Sequence, residues 1–272
     1  MYTGSNIANY DLSHVIWYDF SFNLIMKYRF LTLMLSVLFF SCEKNTSVTL
    51  DSPSIQFHFK HLYKTEALQV VANNTLTYTN VKGNQWNIKN LKYYISKIII
   101  YRDDTIGYDV NMVKLINPAE ANTNYQEYTL SNIPAGHYTR MSFIFGIDTV
   151  RNKFLGLGNT SEANSMEWPD PLGGGYHFMQ MEGVYQNASN VLMGYAIHLG
   201  KNYNQYYGSY PIDFTAKDGE KGNINITMNV DQWFDGLNDI NLNDGYGYMM
   251  DDDAKQLLFK QNANYVFSIE QL

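Results

Sequence analysis

The stretch Tyr176–Glu182 carries one imidazole and two thioether side chains at alternating positions. As a strand, it would place His177, Met179 and Met181 on one face and the four intervening residues on the other. One imidazole with two thioethers forms a soft donor set of the kind that suits copper(I). The alternative is a core strand whose methionines fill gaps, and methionine on a strand face is more often packing than a ligand. The residue types alone therefore favour core packing.

The segment just before this stretch must turn sharply. Pro169 and Pro171 prevent regular strand pairing next to Trp168. Gly173–Gly175 is a glycine triplet, which occurs where a chain bends tightly or another group approaches closely. The sequence thus predicts a bulky loop that contains Trp168 and leads into the strand.

A second histidine can reach the first one across a hairpin. His198 lies in the apolar run Leu192–Leu199, which is predicted to be a strand, and a hairpin over Met179–Gly194 would direct it toward His177. For each of these histidines, the alternative is a buried neutral imidazole whose second nitrogen is fixed by a carbonyl. His58 and His61, on the polar side of the first strand and just past its end, are interpreted as surface residues and are secondary metal candidates.

Composition excludes several classes of protein. The chain has 272 residues with 45% hydrophobic and 17% charged residues, and its net charge of −7 argues against a nucleic-acid partner. Its single cysteine excludes a disulfide framework and every multi-cysteine metal site. No hydrolase elbow, zinc-protease helix or phosphate-binding loop is present, so an enzyme is not expected. The Asp235–Asp253 segment lacks the glycine and glutamate of a calcium loop and is interpreted as a solvated loop.

The N-terminus looks like a bacterial lipoprotein signal. A short basic start at Met26 is followed by the apolar run Phe30–Phe40, which is too short to span a membrane, and then by Ser41 and Cys42. Residues 1–25 precede this second methionine and are interpreted as an over-extended reading frame. The leader therefore covers 1–41, with the signal peptide at 26–41 and lipidation at Cys42. Residues 42–53 are polar and are predicted to be a tether.

Residues 54–272 are predicted to form one all-β domain. Short alternating runs rich in β-branched and aromatic residues recur at short spacing, without a βαβ rhythm, which favours a single sandwich of about ten antiparallel strands. One or two short helices are expected in loops, and Ala254–Asn262 is the most convincing. The clearest predicted strands are Ile55–Phe59, Leu91–Tyr101, Tyr138–Phe145, Leu192–Leu199, Tyr206–Phe214 and Ile224–Val230. Leu91–Tyr101 is largely apolar on both faces and is expected to be central, whereas Pro211 assigns its strand to an edge.

Several segments together resemble the MbnP-like family, relatives of the MopE/CorA-type copper-binding proteins. They are Ile55–His61, Leu91–Ser96, Ile133–Tyr138, Phe145–Asn152, Met166–Pro169, Gly173–Gly183 and Tyr195–Gly200. The resemblance extends through almost the whole chain after the tether and depends on the order of these segments. It implies an exported β-sandwich that binds copper(I), often with a dihaem peroxidase-like partner that oxidises a tryptophan to kynurenine.

The site implied by the resemblance consists of two histidines and the kynurenine amine. Trp168 matches the modified tryptophan and His198 the later histidine. The relatives place the earlier histidine two positions after the tryptophan, where this chain has Asp170. His177 is the substitute, which leaves three hypotheses: a kynurenine site, a His177/His198 site with Met179 or Met181, and a branch that has kept the fold without the metal.

The sequence therefore predicts a copper-binding lipoprotein of the cell envelope. It would be anchored in the outer membrane, on the periplasmic or the surface face, and would acquire, store or deliver copper(I). The alternative is a ligand-binding or adhesion module that uses an aromatic surface of tyrosine and tryptophan. The motivating tyrosines are Tyr203, Tyr206, Tyr207 and Tyr210.

Overall fold

The computed structural model describes residues 51–102, 105–120 and 125–272. The predicted leader, the lipidation site Cys42 and most of the tether lie outside these residues. Among the described residues, no helix is long and apolar enough to cross a membrane.

The described residues form fourteen strands and three short α-helices, numbered here in chain order. The strands are β1 (Ser54–Tyr63), β2 (Glu66–Ala67), β3 (Tyr78–Thr79), β4 (Gln85–Trp86), β5 (Asn90–Arg102), β6 (Ile106–Asp109), β7 (Val113–Ile116), β8 (Tyr125–Leu130), β9 (Gly136–Phe145), β10 (Met179–Gln186), β11 (Leu192–Leu199), β12 (Tyr206–Ala216), β13 (Lys221–Asn229) and β14 (Phe267–Gln271). The helices are α1 (Ser161–Asn164), α2 (Gln232–Asp235) and α3 (Asp253–Val266).

The strands form two sheets. The smaller sheet has the order β14-β13-β1-β2, with β8 also paired to β1. The larger sheet has the order β12-β9-β5-β10-β4-β3, with β11 paired to β10 and both β6 and β7 paired to β5. Most pairs are antiparallel, but β1 and β13 run parallel, which corrects the expectation of a wholly antiparallel sandwich.

The core lies between the two sheets and is rich in aromatic rings. Phe267 of β14 packs against Tyr93 of β5 and Phe145 of β9, with ring centroids 6.3 and 5.6 Å apart. Most residues on both faces of β5 are buried, as its largely apolar sequence predicts for a central strand. At one end of the sandwich, Phe259 of α3 packs on Trp233 of α2. The all-β sandwich is confirmed.

The structure departs from the prediction in two further places. β1 continues to Tyr63, so His61 lies inside the strand and not past its end. Strand alternation puts His61 on the core face, where it is 5% exposed, and this corrects its interpretation as a surface residue. The Asp235–Asp253 segment is less solvated than expected, because several of its apolar side chains are buried. They are Ile240, Leu242, Tyr246 and Met249.

Candidate metal centre

The glycine-rich loop folds back on itself and brings Trp168 next to His177. Trp168 N donates to Gly175 O at 2.9 Å, and His177 N donates to Met166 O at 2.6 Å. Gly173, Gly174 and Gly175 have φ angles of 114°, 67° and 84°, which are strained for any residue with a side chain. The triplet therefore closes a tight turn that places two residues nine positions apart side by side.

The hairpin of β10 and β11 supplies the second histidine. Gln180 pairs with His198 and Met181 pairs with Ile197 in an antiparallel register. Because directly paired residues point to the same face of a sheet, Gln180, Glu182 and His198 share one face. Gln180 Nε2 donates to Ser165 O at 3.3 Å, which ties the segment after α1 over this outer face.

Three rings meet where the glycine loop covers the hairpin. The His177 and His198 rings lie 4.9 Å apart with an interplanar angle of 87°. The His177 ring also contacts the Trp168 indole, with centroids 4.8 Å apart and an interplanar angle of 63°. The predicted hairpin thus forms, and the two histidines and the tryptophan of the sequence hypothesis form one cluster.

In each imidazole of this cluster, one nitrogen is hydrogen-bonded and the other has no hydrogen-bond partner. His177 Nδ1 lies 3.2 Å from Met166 O, which can only accept, so Nδ1 carries the proton. His198 Nε2 lies 2.8 Å from Glu182 Oε1. The remaining nitrogens, His177 Nε2 and His198 Nδ1, are buried without a hydrogen-bond partner. Buried polar atoms are nearly always satisfied, so two buried lone pairs without hydrogen bonds on neighbouring rings make this pair a candidate metal site.

The environment keeps His177 in the neutral form that a metal requires. Burial, and after it the electrostatic effect of His198, lowers the pKa of His177 from 6.5 to about 4. At neutral pH, its Nε2 therefore carries a lone pair and no proton. A neutral imidazole whose other nitrogen is fixed by a hydrogen bond is the usual form of a histidine metal ligand.

The methionines lie on the opposite side of the sheet from His198. Met179 and Met181 pair with Leu199 and Ile197 and belong to the buried core. His177 precedes β10, and the next residue, Phe178, is itself part of the core, so strand alternation does not connect His177 to the two methionines. The prediction that His177, Met179 and Met181 share a face is wrong because regular pairing begins at Met179, three residues later than the predicted start at Tyr176.

The other sequence candidates do not join the cluster. His61 Nε2 is hydrogen-bonded to the Tyr93 hydroxyl at 2.9 Å between the two sheets. His58 lies three residues away on the opposite face of β1 and is 8% exposed, which corrects its interpretation as a surface residue. Its Nε2 lies 3.7 Å from Glu127 Oε1. Asp170, at the position of the relatives' earlier histidine, is exposed. Over the part of the chain that the structure describes, no three His, Cys, Asp or Glu side chains are grouped as a metal site.

The indole is packed on a glycine and borders a surface cleft. A side-chain carbon added at Gly200 would lie 2.4 Å from the Trp168 ring, so only glycine leaves room for the indole. Trp168 Nε1 donates to Leu172 O at 3.2 Å, and the residue is 2% exposed. A polar cleft of about 380 Å³ borders this position. It is lined by Phe154, Asn164, Glu167, Trp168, Pro169, Asp170, Gly175 and Tyr176.

Comparison with known proteins identifies the family. The family model described as MbnP matches residues 52–251. The chain belongs to the MbnP family. Among solved structures, MbnP from Methylosinus trichosporium matches with a TM-score of 0.49 and 10% identity, covering 82% of this chain and 99% of that one. The comparison with curated proteins gave no match.

Two residues of this MbnP-family centre were missed by the sequence argument. Glu182 was placed on a strand face without a role, although it is two residues from Gln180, the partner of His198. The contact between Glu182 and His198 depends on the register of the hairpin, which pairs Gln180 with His198. Gly200 was part of the family resemblance. That the Trp168 ring packs directly against it is visible only in the three-dimensional structure.

Proposed function

We propose that this protein binds one copper(I) ion through His177 Nε2 and His198 Nδ1 and stores or delivers it. The observation that carries the proposal is the pair of buried imidazole nitrogens without hydrogen-bond partners on adjacent rings. Membership of the MbnP family supports copper as the metal, because the family resemblance connects this fold to copper.

The donor set favours a monovalent soft ion over harder divalent ions. Structural zinc takes four ligands, and calcium takes six to eight oxygens. Here two imidazoles are available, and the described residues contain no group of three or more histidine, cysteine, aspartate or glutamate side chains that could hold a metal ion. Copper(I) is stable with two or three donors and binds imidazole well. The count of donors therefore supports copper(I).

Trp168 is the proposed third ligand in protein whose indole has been oxidised to kynurenine. Its ring already lies against His177, which supports this position for the additional amine. The cleft beside Trp168 gives an oxidising partner of the dihaem peroxidase type a surface to approach. In unmodified protein, the two histidines would bind copper(I) alone.

The remaining parts of the proposal follow from the sequence. Lipidation at Cys42 would anchor the domain to the outer membrane within the cell envelope. The protein would bind and pass on its metal without turning over a substrate. The alternative of an aromatic binding surface has less support, because Tyr206 and Tyr210 are partly buried against the core while Tyr203 and Tyr207 are exposed.

The test is a competitive copper(I) titration of residues 43–272 against a chromogenic chelator, with intact-mass analysis of natively produced protein. We expect binding of one copper(I) per chain. A His177→Ala, His198→Ala double variant should lose this binding while retaining the fold by circular dichroism. Equal binding by the double variant would show that the site is elsewhere. The absence of binding in both unmodified and native protein would mean the family fold without its metal.

A further inference from the structure

A carboxylate on the neighbouring strand contacts the second histidine of the centre. Glu182 Oε1 lies 2.8 Å from His198 Nε2, and the two residues are diagonal neighbours across β10 and β11. Diagonal pairs in a sheet are within reach only for long side chains, which glutamate provides. On the other side of β10, Asn90 Nδ2 donates to Glu182 Oε2 at 3.4 Å. Glu182 is thus held from one flanking strand while it contacts His198 on the other.

We propose that Glu182 is a positioning residue of this centre, whose carboxylate fixes the tautomer and ring orientation of His198 so that Nδ1 is the metal donor. The inference rests on the proposed copper-binding function. A carboxylate only accepts hydrogen bonds, so the proton of neutral His198 must be on Nε2. A 180° rotation of the ring would move this proton away from Glu182 and replace Nδ1 by carbon at the donor position.

The two histidines are held in complementary ways. Met166 O fixes the proton of His177 on Nδ1 and leaves Nε2 as the donor, whereas Glu182 does the reverse for His198. A fixed second nitrogen both orients a ligating imidazole and raises its basicity. The free protein therefore already has one lone pair from each ring, which lowers the ordering cost of metal binding.

The charge of Glu182 also matches the proposed ion. Glu182 is half-exposed, and a glutamate side chain in water is a carboxylate anion at neutral pH. Two neutral imidazoles, one carboxylate and one copper(I) ion together carry no net charge. A divalent ion would leave one positive charge in a partly buried site, where unbalanced charge is costly. Glu182 therefore favours a monovalent ion in addition to orienting the ligand.

Two substitutions separate orientation from charge. Glu182→Gln keeps an oxygen that can accept from His198 Nε2 but removes the charge, and Glu182→Ala removes both. For each variant and the wild type, ¹⁵N chemical shifts of His198 in the metal-free protein report the tautomer, and chelator competition reports copper(I) affinity. Asp213→Asn is the matched control, since Asp213 forms a similar pair with His137 at 2.6 Å on the exposed surface.

We expect His198 to be a single Nε2-protonated tautomer in the wild type and the Gln variant, and a mixture in the Ala variant. Loss of an outer partner of a ligating histidine typically weakens metal binding by about 10–100-fold, and we expect this range for Glu182→Ala. Glu182→Gln should cause a smaller loss, and Asp213→Asn none. A single tautomer and wild-type affinity in the Ala variant would overturn the inference. If the wild type binds no copper, the proposed function fails, and the tautomer comparison still decides whether Glu182 holds His198.

Discussion

His177 and His198 contact each other edge to face, with ring centroids 4.9 Å apart, although 20 residues of chain lie between them. This contact has an electrostatic consequence. Burial, and after it the repulsion between positive charges on the two rings, lowers the pKa of His177 to about 4. The pair therefore presents a neutral imidazole at the pH of ordinary aqueous environments, which is the protonation state that a metal ion binds.

The two methionines of β10 are expected to be irrelevant to copper binding. Met179→Leu and Met181→Leu conserve volume on the core face, so each should cost less than about 1.5 kcal/mol of stability. Copper(I) affinity should stay within twofold of the wild type, measured by chelator competition, because neither side chain faces His198. A tenfold or greater loss in either variant, with the fold intact, would show that a thioether reaches the metal.

The packing of Trp168 against Gly200 gives a second prediction. Gly200→Ala places a methyl group where only 2.4 Å separates it from the indole, so the ring must move. Overpacking of this kind typically costs about 1–3 kcal/mol, and urea unfolding should show a loss in this range. Tryptophan fluorescence should change as well, since Trp168 loses its present environment.

The matched control for Gly200→Ala is Gly194→Ala in the neighbouring strand β11. At Gly194, the nearest atom to an added methyl group is Gly183 O at 4.0 Å, and the residue is exposed. This variant should leave both stability and fluorescence nearly unchanged. Equal losses in the two variants would mean that the glycine backbone, and not the contact with the indole, accounts for the effect.

The β-sandwich and its central strand were predictable because hydrophobic periodicity records burial directly. Leu91–Tyr101 is largely apolar on both faces and makes up nearly all of β5, and the proline in Tyr206–Phe214 lies in β12, a strand at the end of its sheet. Hydrophobic periodicity does not indicate whether two paired strands run parallel or antiparallel. The parallel alignment of β1 and β13 depends on where the chain returns after more than 150 residues.

The candidate site was predictable only in part for a related reason. Spacing within Tyr176–Glu182 suggested one face with His177, Met179 and Met181, but alternation requires a strand that has already begun. The glycine turn delays regular pairing until Met179, and this separates His177 from both methionines. Contacts across strands, such as that between Glu182 and His198, depend on register, which a single sequence does not specify.

The role of Trp168 can be separated from that of the histidines. Trp168→Phe keeps an aromatic ring in the pocket and removes the possibility of forming kynurenine. In protein produced without an oxidising partner, we expect this variant to bind copper(I) within about tenfold of the wild type, because two imidazole donors remain. In natively produced protein, any additional affinity that accompanies oxidation of Trp168 should be absent from the variant.

Mass spectrometry decides how the Trp168→Phe comparison is interpreted. Conversion of tryptophan to kynurenine changes the intact mass, so the modified fraction of each preparation is measured directly. If unmodified wild-type protein binds copper(I) and unmodified Trp168→Phe protein does not, copper(I) binding requires the unoxidised indole of Trp168. That result would contradict the two-histidine proposal for unmodified protein.

His61 is expected to make the fold sensitive to acid. Burial between the sheets lowers the pKa of His61 from 6.5 to about 3. Below about pH 6.5 the unfolded chain takes up a proton that the folded chain refuses, so stability falls as the pH falls toward 3. Between roughly pH 7.5 and 5 this single group should lower the free energy of unfolding by about 2 kcal/mol.

The measurement is urea unfolding at both pH values for the wild type and His61→Gln. Glutamine does not titrate and can still hydrogen-bond to the Tyr93 hydroxyl, the present partner of His61. The variant can lose stability at both pH values through altered packing, so the difference between the two values is the informative quantity. That difference should be about 2 kcal/mol smaller in His61→Gln than in the wild type. If His61→Gln retains the wild-type difference, His61 is not the acid-sensitive group.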